Sequence, residues 1–159
     1  MKLYHGTNID FDAIDLQKSH KNKDFGQGFY LTADRDQAEQ MAANKTALLG
    51  GSAQILEFEC PENILEMKNL KVKAFSSYSK EWAEFILLNR NKSSEKRQHD
   101  YDVVYGPIAD DKVGLQIKFY QQNFISLDVL MDRLKFHHIT FQYYFGTERA
   151  LEFLKRVHE

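Results

Sequence analysis

The apolar positions of the chain follow two different periods, which predicts a mixture of short strands and helices. Alternating or continuous apolar patterns typical of strands occur at residues 2–5, 29–32, 53–60, 70–72, 101–105 and 139–145. Helical spacing predicts helices at residues 35–49, 80–88, 110–122 and 127–134, and a last one from Thr147 through Leu151 and Leu154 to Val157. Asp34 and Thr147 are the expected N-caps, Gly50 and Gly51 end the first helix, and Gly106-Pro107 ends the strand at residues 101–105.

The order of these elements predicts one α+β domain that covers residues 1–159. The sequence contains no internal repeat and no low-complexity linker at which two domains would separate. A chain of this length buries roughly two-thirds of its unfolded surface when it folds as one unit. Two independent domains of half the length would each be marginally stable.

Composition and charge narrow the class of protein. A formal charge of -2 is not the global electrostatic footprint of a nucleic-acid-binding protein. The single cysteine, Cys60, excludes an internal disulfide and a cysteine cage for zinc, and its place before Pro61 suits a small buried side chain. The N-terminus does not resemble a signal peptide and no apolar run approaches the length of a membrane span, so a soluble cytoplasmic protein is expected.

The segment Asp24-Phe25-Gly26-Gln27-Gly28-Phe29-Tyr30-Leu31-Thr32 is the first candidate for a ligand site. Two glycines flank one residue, and glycine allows backbone conformations and close approaches that a Cβ would forbid. The aromatic run that follows reads as a strand that presents Tyr30. The alternative is a tight turn before a core strand. In the loop before it, Lys18, Lys21 and Lys23 either attract an anion or form a solvated loop.

Three side chains that are candidates for binding or catalysis lie on predicted strands: His5, Tyr30 and Gln142. Each has a structural alternative, because a histidine at a strand end or a tyrosine within a strand is more often part of the packing. Gln142 interrupts an apolar, aromatic strand, where it either faces solvent or needs a partner, since an unpaired buried amide costs about 1–3 kcal/mol.

Taken in order, His5-Gly6-Thr7, Gly26-Gln27-Gly28-Phe29-Tyr30 and Gln142-Tyr143-Tyr144-Phe145 resemble the three motifs of the ADP-ribosyltransferases. The similarity is to the diphtheria-toxin and poly(ADP-ribose) polymerase branch, in which His, Tyr and Glu lie on separate strands. Tyr101 to Asp111 and Gln142 to Leu151 are also similar to segments of an uncharacterised bacterial family of small transferase-like proteins. The resemblance implies a split β-sheet core with flanking helices.

The resemblance also implies how NAD would bind as co-substrate, without a metal. His5 would hydrogen-bond a ribose hydroxyl, the Gly6 backbone would pair with the nicotinamide carboxamide, and the Tyr30 ring would stack on nicotinamide. Thr7 and Asn8 would contact the ribose or the phosphates. Gly28 and Phe29 would complete the binding segment next to Tyr30.

The third motif departs from the family pattern, because Gln142 stands where the family has Glu. An amide accepts a hydrogen bond from the ribose but cannot act as a general base, so polymer synthesis is not expected. Glu148 is the nearest carboxylate to assist catalysis, and a favourable interaction with a helix dipole is its alternative role. Asp110 and Asp111 are candidates for acceptor-side chemistry, with a helix start as their alternative.

The leading hypothesis is a mono-ADP-ribosyltransferase that modifies a protein or nucleic-acid acceptor. By analogy it is the toxin of a toxin–antitoxin or phage-defence pair, with an antitoxin protein as possible partner and no membrane. One competing hypothesis is a catalytically weakened module of the same fold that binds NAD, ADP-ribose or a protein. Another is an interaction protein whose aromatic strands form a binding edge.

Overall fold

The structure, a computed structural model, describes residues 1–158. These residues form two β-sheets with helices around them. The strands are β1 (Lys2–Thr7), β2 (Phe29–Leu31), β3 (Gln54–Glu59), β4 (Val72–Ala74), β5 (Val103–Pro107), β6 (Phe141–Phe145) and β7 (Lys155–Val157). The α-helices are α1 (Arg35–Leu49), α2 (Lys80–Asn89), α3 (Asp111–Gln121), α4 (Leu127–Leu134) and α5 (Glu148–Leu151). The predicted α+β class is therefore confirmed. Within these residues no helix combines the length and apolar character needed to cross a membrane.

One sheet has the strand order β1-β3-β7 and the other β2-β6-β5-β4. They meet where Tyr4 of β1 and Thr32, just after β2, exchange two backbone hydrogen bonds of 2.8 and 2.9 Å. Beyond this bridge the ladder between β1 and β2 does not continue. Instead, the Tyr30 carbonyl is 2.7 Å from a ring nitrogen of His5. A cleft begins at this point.

The predicted helix starts agree with the capping contacts. The Asp34 side chain accepts hydrogen bonds from two backbone N–H groups of the first turn of α1, and Gly50, with φ of 80°, ends that helix. Ser79 and Thr147 cap α2 and α5 in the same manner. These side chains satisfy N–H groups that a helix leaves without a partner at its start.

The C-terminal prediction is wrong in one respect. The helix that begins after Thr147 ends at Leu151, and Lys155–Val157 form the strand β7 instead of a continuation to Val157. Strand β7 pairs antiparallel with the free edge of β3, and the Arg156 guanidinium lies 5.6 Å from the centre of the Phe58 ring. Pairing with a distant edge strand, which local helical spacing does not reveal, decides the conformation here.

Several strand ends also differ from the prediction, including the start of β4, at Val72 instead of residue 70, and the start of β6, at Phe141 instead of residue 139. Gly6 and Thr7 continue β1, and Gly106 and Pro107 remain in β5, where they pair with Gln142 and Phe141 of β6. Pro107 has no N–H to donate, but its carbonyl accepts a hydrogen bond of 3.0 Å from the Trp82 indole. Strands β1 and β5 therefore end two residues later than the turn residues predict.

The core consists of two clusters that approach each other at β2 and β6. Phe29 and Leu31 of β2 pack with Leu3, Leu56 and Phe145 in one cluster. Tyr30 points to the other face of β2, as alternation along a strand requires, and packs against the cluster of Phe25, Trp82 and Tyr144. Strand β2 is therefore anchored on both faces, which holds Tyr30 in a defined position.

Candidate functional site

A cleft lies between β1, β2 and α1, and it has two adjoining lobes. The Gln142 lobe is lined by Tyr4, Gly6, Thr32, Ala38 and Gln142 among others. The Asn8 lobe, of about 410 Å³, is lined by Thr7, Asn8, Phe11, Gly28 and Phe29 among others. Four side chains line both lobes: His5, Lys23, Tyr30 and Lys45. The cleft therefore brings together the three motifs that are far apart in the sequence.

His5 is held as a neutral imidazole with a defined tautomer. Its Nδ1 lies 2.7 Å from the Tyr30 carbonyl, which can only accept, so Nδ1 carries the proton and Nε2 is an acceptor. The ring packs on Phe29, with 4.4 Å between ring centres. Burial, together with the charges of Lys45 and Lys23, lowers the pKa of His5 to about 3. Near neutral pH the site therefore offers an uncharged acceptor here.

Two hydrogen bonds of its hydroxyl group hold Tyr30 in position. The hydroxyl donates to the Gly26 carbonyl at 2.6 Å and accepts from the Phe25 N–H at 3.0 Å. Burial raises the pKa of this phenol well above its ordinary value. The Lys23 ammonium lies 5.1 Å from the centre of the Tyr30 ring. A ring that stacks on this face of Tyr30 would have to displace Lys23.

Lys23 and Lys45 give the cleft a positive charge. The Lys45 ammonium donates to the Gly6 carbonyl at 3.0 Å, and burial and the nearby Lys23 lower its pKa to about 8. Burial also lowers the pKa of Lys23. Among residues 1–158 neither lysine has a carboxylate within salt-bridge distance. Two partly desolvated cations without such a partner favour an anionic ligand.

Gly6 is required by the close approach of α1 to β1. A Cβ at this position would lie 2.0 Å from the Ala38 carbonyl oxygen and 2.8 Å from the Ala42 nitrogen. Because successive peptide groups of a strand point to opposite sides, the Gly6 peptide faces the same side as that of Tyr4, which bonds Thr32. The helix contact therefore brings Lys45 to the carbonyl of the residue after His5.

Gly28 and Phe29 serve the packing around the site as well as lining it. A Cβ on Gly28 would lie 2.2 Å from a ring carbon of Tyr144, so the close approach at this glycine is made by β6. Phe29 is 6% exposed and supports the ring of His5 from the core side. Both residues border the Asn8 lobe, where sequence reasoning expects contact with a cofactor.

Thr7 and Asn8 lie at the far end of β1, in the Asn8 lobe. The Thr7 hydroxyl accepts a weak hydrogen bond of 3.4 Å from the Ile9 N–H, and the Asn8 amide donates to the Gly50 carbonyl at 3.1 Å. Both side chains therefore tie the turn after β1 to its surroundings. Asp10 and Asp15 put carboxylates in the same lobe.

Gln142 lies on β6 where the pairing with β2 ends, and it lines the lobe named after it. Its Nε2 is 3.3 Å from an oxygen of the Asp24 carboxylate. The Gln142 position therefore joins those of His5 and Tyr30 in one lobe, as the motif order predicts. The partner of this half-buried amide is Asp24, which sequence reasoning did not single out.

The remaining candidate carboxylates do not line either lobe of the cleft. Glu148 is exposed in the first turn of α5, a position that suits the helix dipole. The Asp110 carboxylate caps α3 by accepting from the Val113 N–H at 2.8 Å, and Asp111 lies in the first turn of that helix. For all three, the structure agrees with the helix-terminus alternative.

Sequence reasoning missed Lys45 and gave Lys23 no definite role. Ala38, Ala42 and Lys45 follow the spacing of one helix face, and this signal would have placed Lys45 beside the small residues that pack on β1. Of the three loop lysines, Lys18 and Lys21 are exposed and Lys23 is partly buried over Tyr30. No group of three or more His, Cys, Asp or Glu side chains in residues 1–158 is placed to hold a metal ion.

The chain thus has an α+β fold with a basic, aromatic cleft where its two sheets meet. Residues 1–156 match the family described as protein of unknown function DUF3990, and the chain belongs to that family. No curated protein and no solved structure matches the chain.

Proposed function

We propose that the protein is a mono-ADP-ribosyltransferase that transfers ADP-ribose from NAD to a macromolecular acceptor. The observation that carries this proposal is that His5, Tyr30 and Gln142 line one lobe although they come from three different strands. The bridge between the sheets at Tyr4 and Thr32 is compatible with the split-sheet core of the ADP-ribosyltransferases. Such convergence of separated motifs is what a shared ligand would require.

In the proposed complex, nicotinamide replaces the Lys23 ammonium on the ring of Tyr30. An offset aromatic contact with a fixed tyrosine then holds the leaving group. His5, neutral and with Nε2 as an acceptor, receives a hydrogen bond from a ribose hydroxyl. The Gly6 peptide, whose carbonyl now binds Lys45, pairs with the carboxamide of nicotinamide.

The two lysines supply the charge that a pyrophosphate needs. Lys23 and Lys45 line both lobes, and Thr7 and Asn8 offer polar contacts in the Asn8 lobe. The released Lys23 side chain would then pair with the phosphates that follow the ribose. This charge pattern favours a dinucleotide over a neutral ligand.

The reaction forms a bond from the acceptor nucleophile to C1′ of the nicotinamide-bearing ribose. The bond from C1′ to nicotinamide breaks, its electron pair leaves with the ring, and the acceptor loses a proton to solvent. Positive charge develops on the sugar during this step. The main contribution of the protein to the rate is therefore to hold the reacting groups rigidly in position. The neutral amide of Gln142 supports one transfer and gives no base for extending a polymer.

Calorimetry with NAD and an assay of nicotinamide release test this proposal. We expect NAD to bind at or below millimolar concentration, and Tyr30→Ala and His5→Ala each to reduce nicotinamide release at least about tenfold. Phe136→Ala is the control, because this exposed ring lies outside both lobes. Absence of binding by NAD and ADP-ribose, or release that survives both cleft variants, would reject the proposal.

A second candidate is a module of the same fold that binds NAD or ADP-ribose without catalysis. It is favoured by one observation: the residues found to line the Gln142 lobe include no carboxylate beside the neutral Gln142. Binding of NAD with no release of nicotinamide and no label transfer to cell extract would select this candidate.

For the biological role we propose a cytoplasmic toxin of a toxin–antitoxin or phage-defence pair, with the antitoxin protein as its partner. A single domain with one nucleotide cleft is sufficient for such a toxin, because the acceptor is a cell component. Protein and nucleic acid are both candidate acceptors.

A further inference from the structure

The Asp24 carboxylate lies behind Gln142 in a dense set of hydrogen bonds, and its side chain is 13% exposed. Its Oδ1 accepts from Arg90 Nε at 2.7 Å and lies 2.5 Å from Arg90 Nη2. Its Oδ2 accepts from the Ala109 N–H and from Gln142 Nε2, each at 3.3 Å. Asp24 therefore connects the loop before β2 with α2, with the turn after β5 and with β6.

Arg90, which lines neither lobe of the cleft, holds this carboxylate in place. Its Nη2 also donates to the Ala109 carbonyl at 3.0 Å. Gly114 of α3 leaves room for the guanidinium, since a Cβ there would lie 2.9 Å from Nη1. The carboxylate is thus fixed by a two-nitrogen contact with an arginine that is itself anchored.

A carboxylate accepts hydrogen bonds, so only the NH₂ end of the Gln142 amide can bind Asp24. The oxygen, Oε1, is the other end of the same planar group, and Gln142 lines the cleft. We propose that Asp24 is a positioning residue that turns the Gln142 amide so that Oε1 is presented to the ribose hydroxyl. This role rests on the proposed function.

The same contact gives a physical reason for glutamine at position 142. A glutamate there would bring a second carboxylate next to Asp24, and like charges at this distance disfavour ionisation. A neutral amide donor instead complements the fixed carboxylate. The departure from the family pattern at Gln142 and the presence of Asp24 thus form one matched pair.

The matched pair can be tested without NAD by comparing Gln142→Glu with the double variant Asp24→Asn/Gln142→Glu. We expect carbon-detected NMR titration to find a raised pKa for the carboxyl group introduced at position 142 when Asp24 is present. In the double variant the Asn amide becomes a donor, and the pKa should fall by at least about one unit. Equal pKa values in the two variants would overturn the proposed contact.

If the double variant does not fold, the side-chain amide of Gln142 in the wild-type protein tests the contact instead. The side-chain NH₂ of Gln142 should exchange with water more slowly than that of the exposed Gln121, because Asp24 binds it. Exchange as fast as at Gln121 would also overturn the contact.

The positioning role is tested by the kinetics of nicotinamide release. Asp24→Asn should lower kcat about tenfold with KM changed less than about twofold, because Arg90 binds the one remaining side-chain oxygen and the new NH₂ group faces Gln142. Two NH₂ groups cannot pair, so the Gln142 amide turns over while the NAD contacts remain. The double variant should recover at least part of kcat, whereas a purely structural Asp24 predicts further loss. Thermal unfolding of each variant monitors the fold. A wild type that neither binds NAD nor releases nicotinamide would reject the proposed function and the ribose role together, while the NMR comparison still decides on the contact.

Discussion

At the scale of single residues, the cleft combines an uncharged histidine with two lysines that are partly removed from water. His5 is kept neutral by burial and by the neighbouring positive charges, and Lys45 is the cation whose pKa falls to about 8. Burial is the main cause of both pKa shifts, and the positive charge of Lys23 adds to each. Near neutral pH the cleft therefore presents His5 as a neutral hydrogen-bond acceptor beside the positively charged lysines.

The first prediction concerns the binding of inorganic pyrophosphate as a function of pH. Lys45 is charged below a pKa of about 8 and becomes neutral above it, so its contribution to the affinity should fall as the pH rises from 7 to 9. Lys45→Met should weaken binding about tenfold at pH 7 and much less at pH 9, and the ionisation of pyrophosphate itself affects both proteins equally. Calorimetry at both pH values measures it, with Lys112→Met of α3 as the control. A ratio of wild-type to variant affinity that is constant over this range would contradict the role of Lys45.

At the scale of elements, the site depends on the packing of α1 against β1. The contact at Gly6 leaves no room for a side chain, and it sets the distance between the Lys45 ammonium and the strand that carries His5. The segment Gly26 to Gly28 has a comparable role for β2, because Tyr144 of β6 fills the space next to Gly28. The main role of Gly6 and Gly28 is to allow the close packing of neighbouring elements, and both also line the cleft.

The second prediction is that Gly6→Ala damages both the fold and the cleft. The added Cβ must push back the backbone of α1, at a cost of at least about 1–3 kcal/mol in the free energy of unfolding. Lys45 would move with the helix, so pyrophosphate binding should weaken as well. Urea unfolding and calorimetry measure the two effects.

Gly50→Ala is the matched control for this prediction. It places a Cβ in open space at a residue with φ of 80°, so only backbone strain is added. Pyrophosphate binding should then remain as in the wild type. Unchanged stability and binding in Gly6→Ala would show that α1 tolerates a wider separation from β1.

At the scale of the whole molecule, the cleft is assembled from both sheets and from α1. No single segment of the chain contains the site, because His5, Tyr30 and Gln142 reach it from β1, β2 and β6. Strand β7 adds an edge to the first sheet, and Arg156 binds the Phe11 carbonyl at 3.0 Å, which ties the loop along the Asn8 lobe to the C-terminus. The shape of the cleft therefore depends on contacts between distant parts of the chain.

The third prediction follows for expression in bacterial cells. The wild-type protein should arrest growth, and Tyr30→Ala should relieve the arrest because it removes the proposed nicotinamide contact. Growth curves, with immunoblots to verify equal protein levels, measure this effect. Phe136→Ala should remain as toxic as the wild type. Equal toxicity of Tyr30→Ala would contradict the proposed toxin mechanism.

The sequence by itself determined the α+β class, the positions of α1 to α4, the N-caps Asp34 and Thr147, and the strands around His5, Tyr30 and Gln142. Local signals suffice there, because capping side chains and apolar periodicity act within a few residues. Only the tertiary structure decided that Lys155–Val157 form β7, that Lys23 and Lys45 meet in the cleft, and that Asp24 is the partner of Gln142. These features depend on contacts between residues far apart in the chain, which short-range patterns do not specify. Helical spacing places Lys45 on the face of Ala38 and Ala42, but it does not show that Lys23 lies opposite.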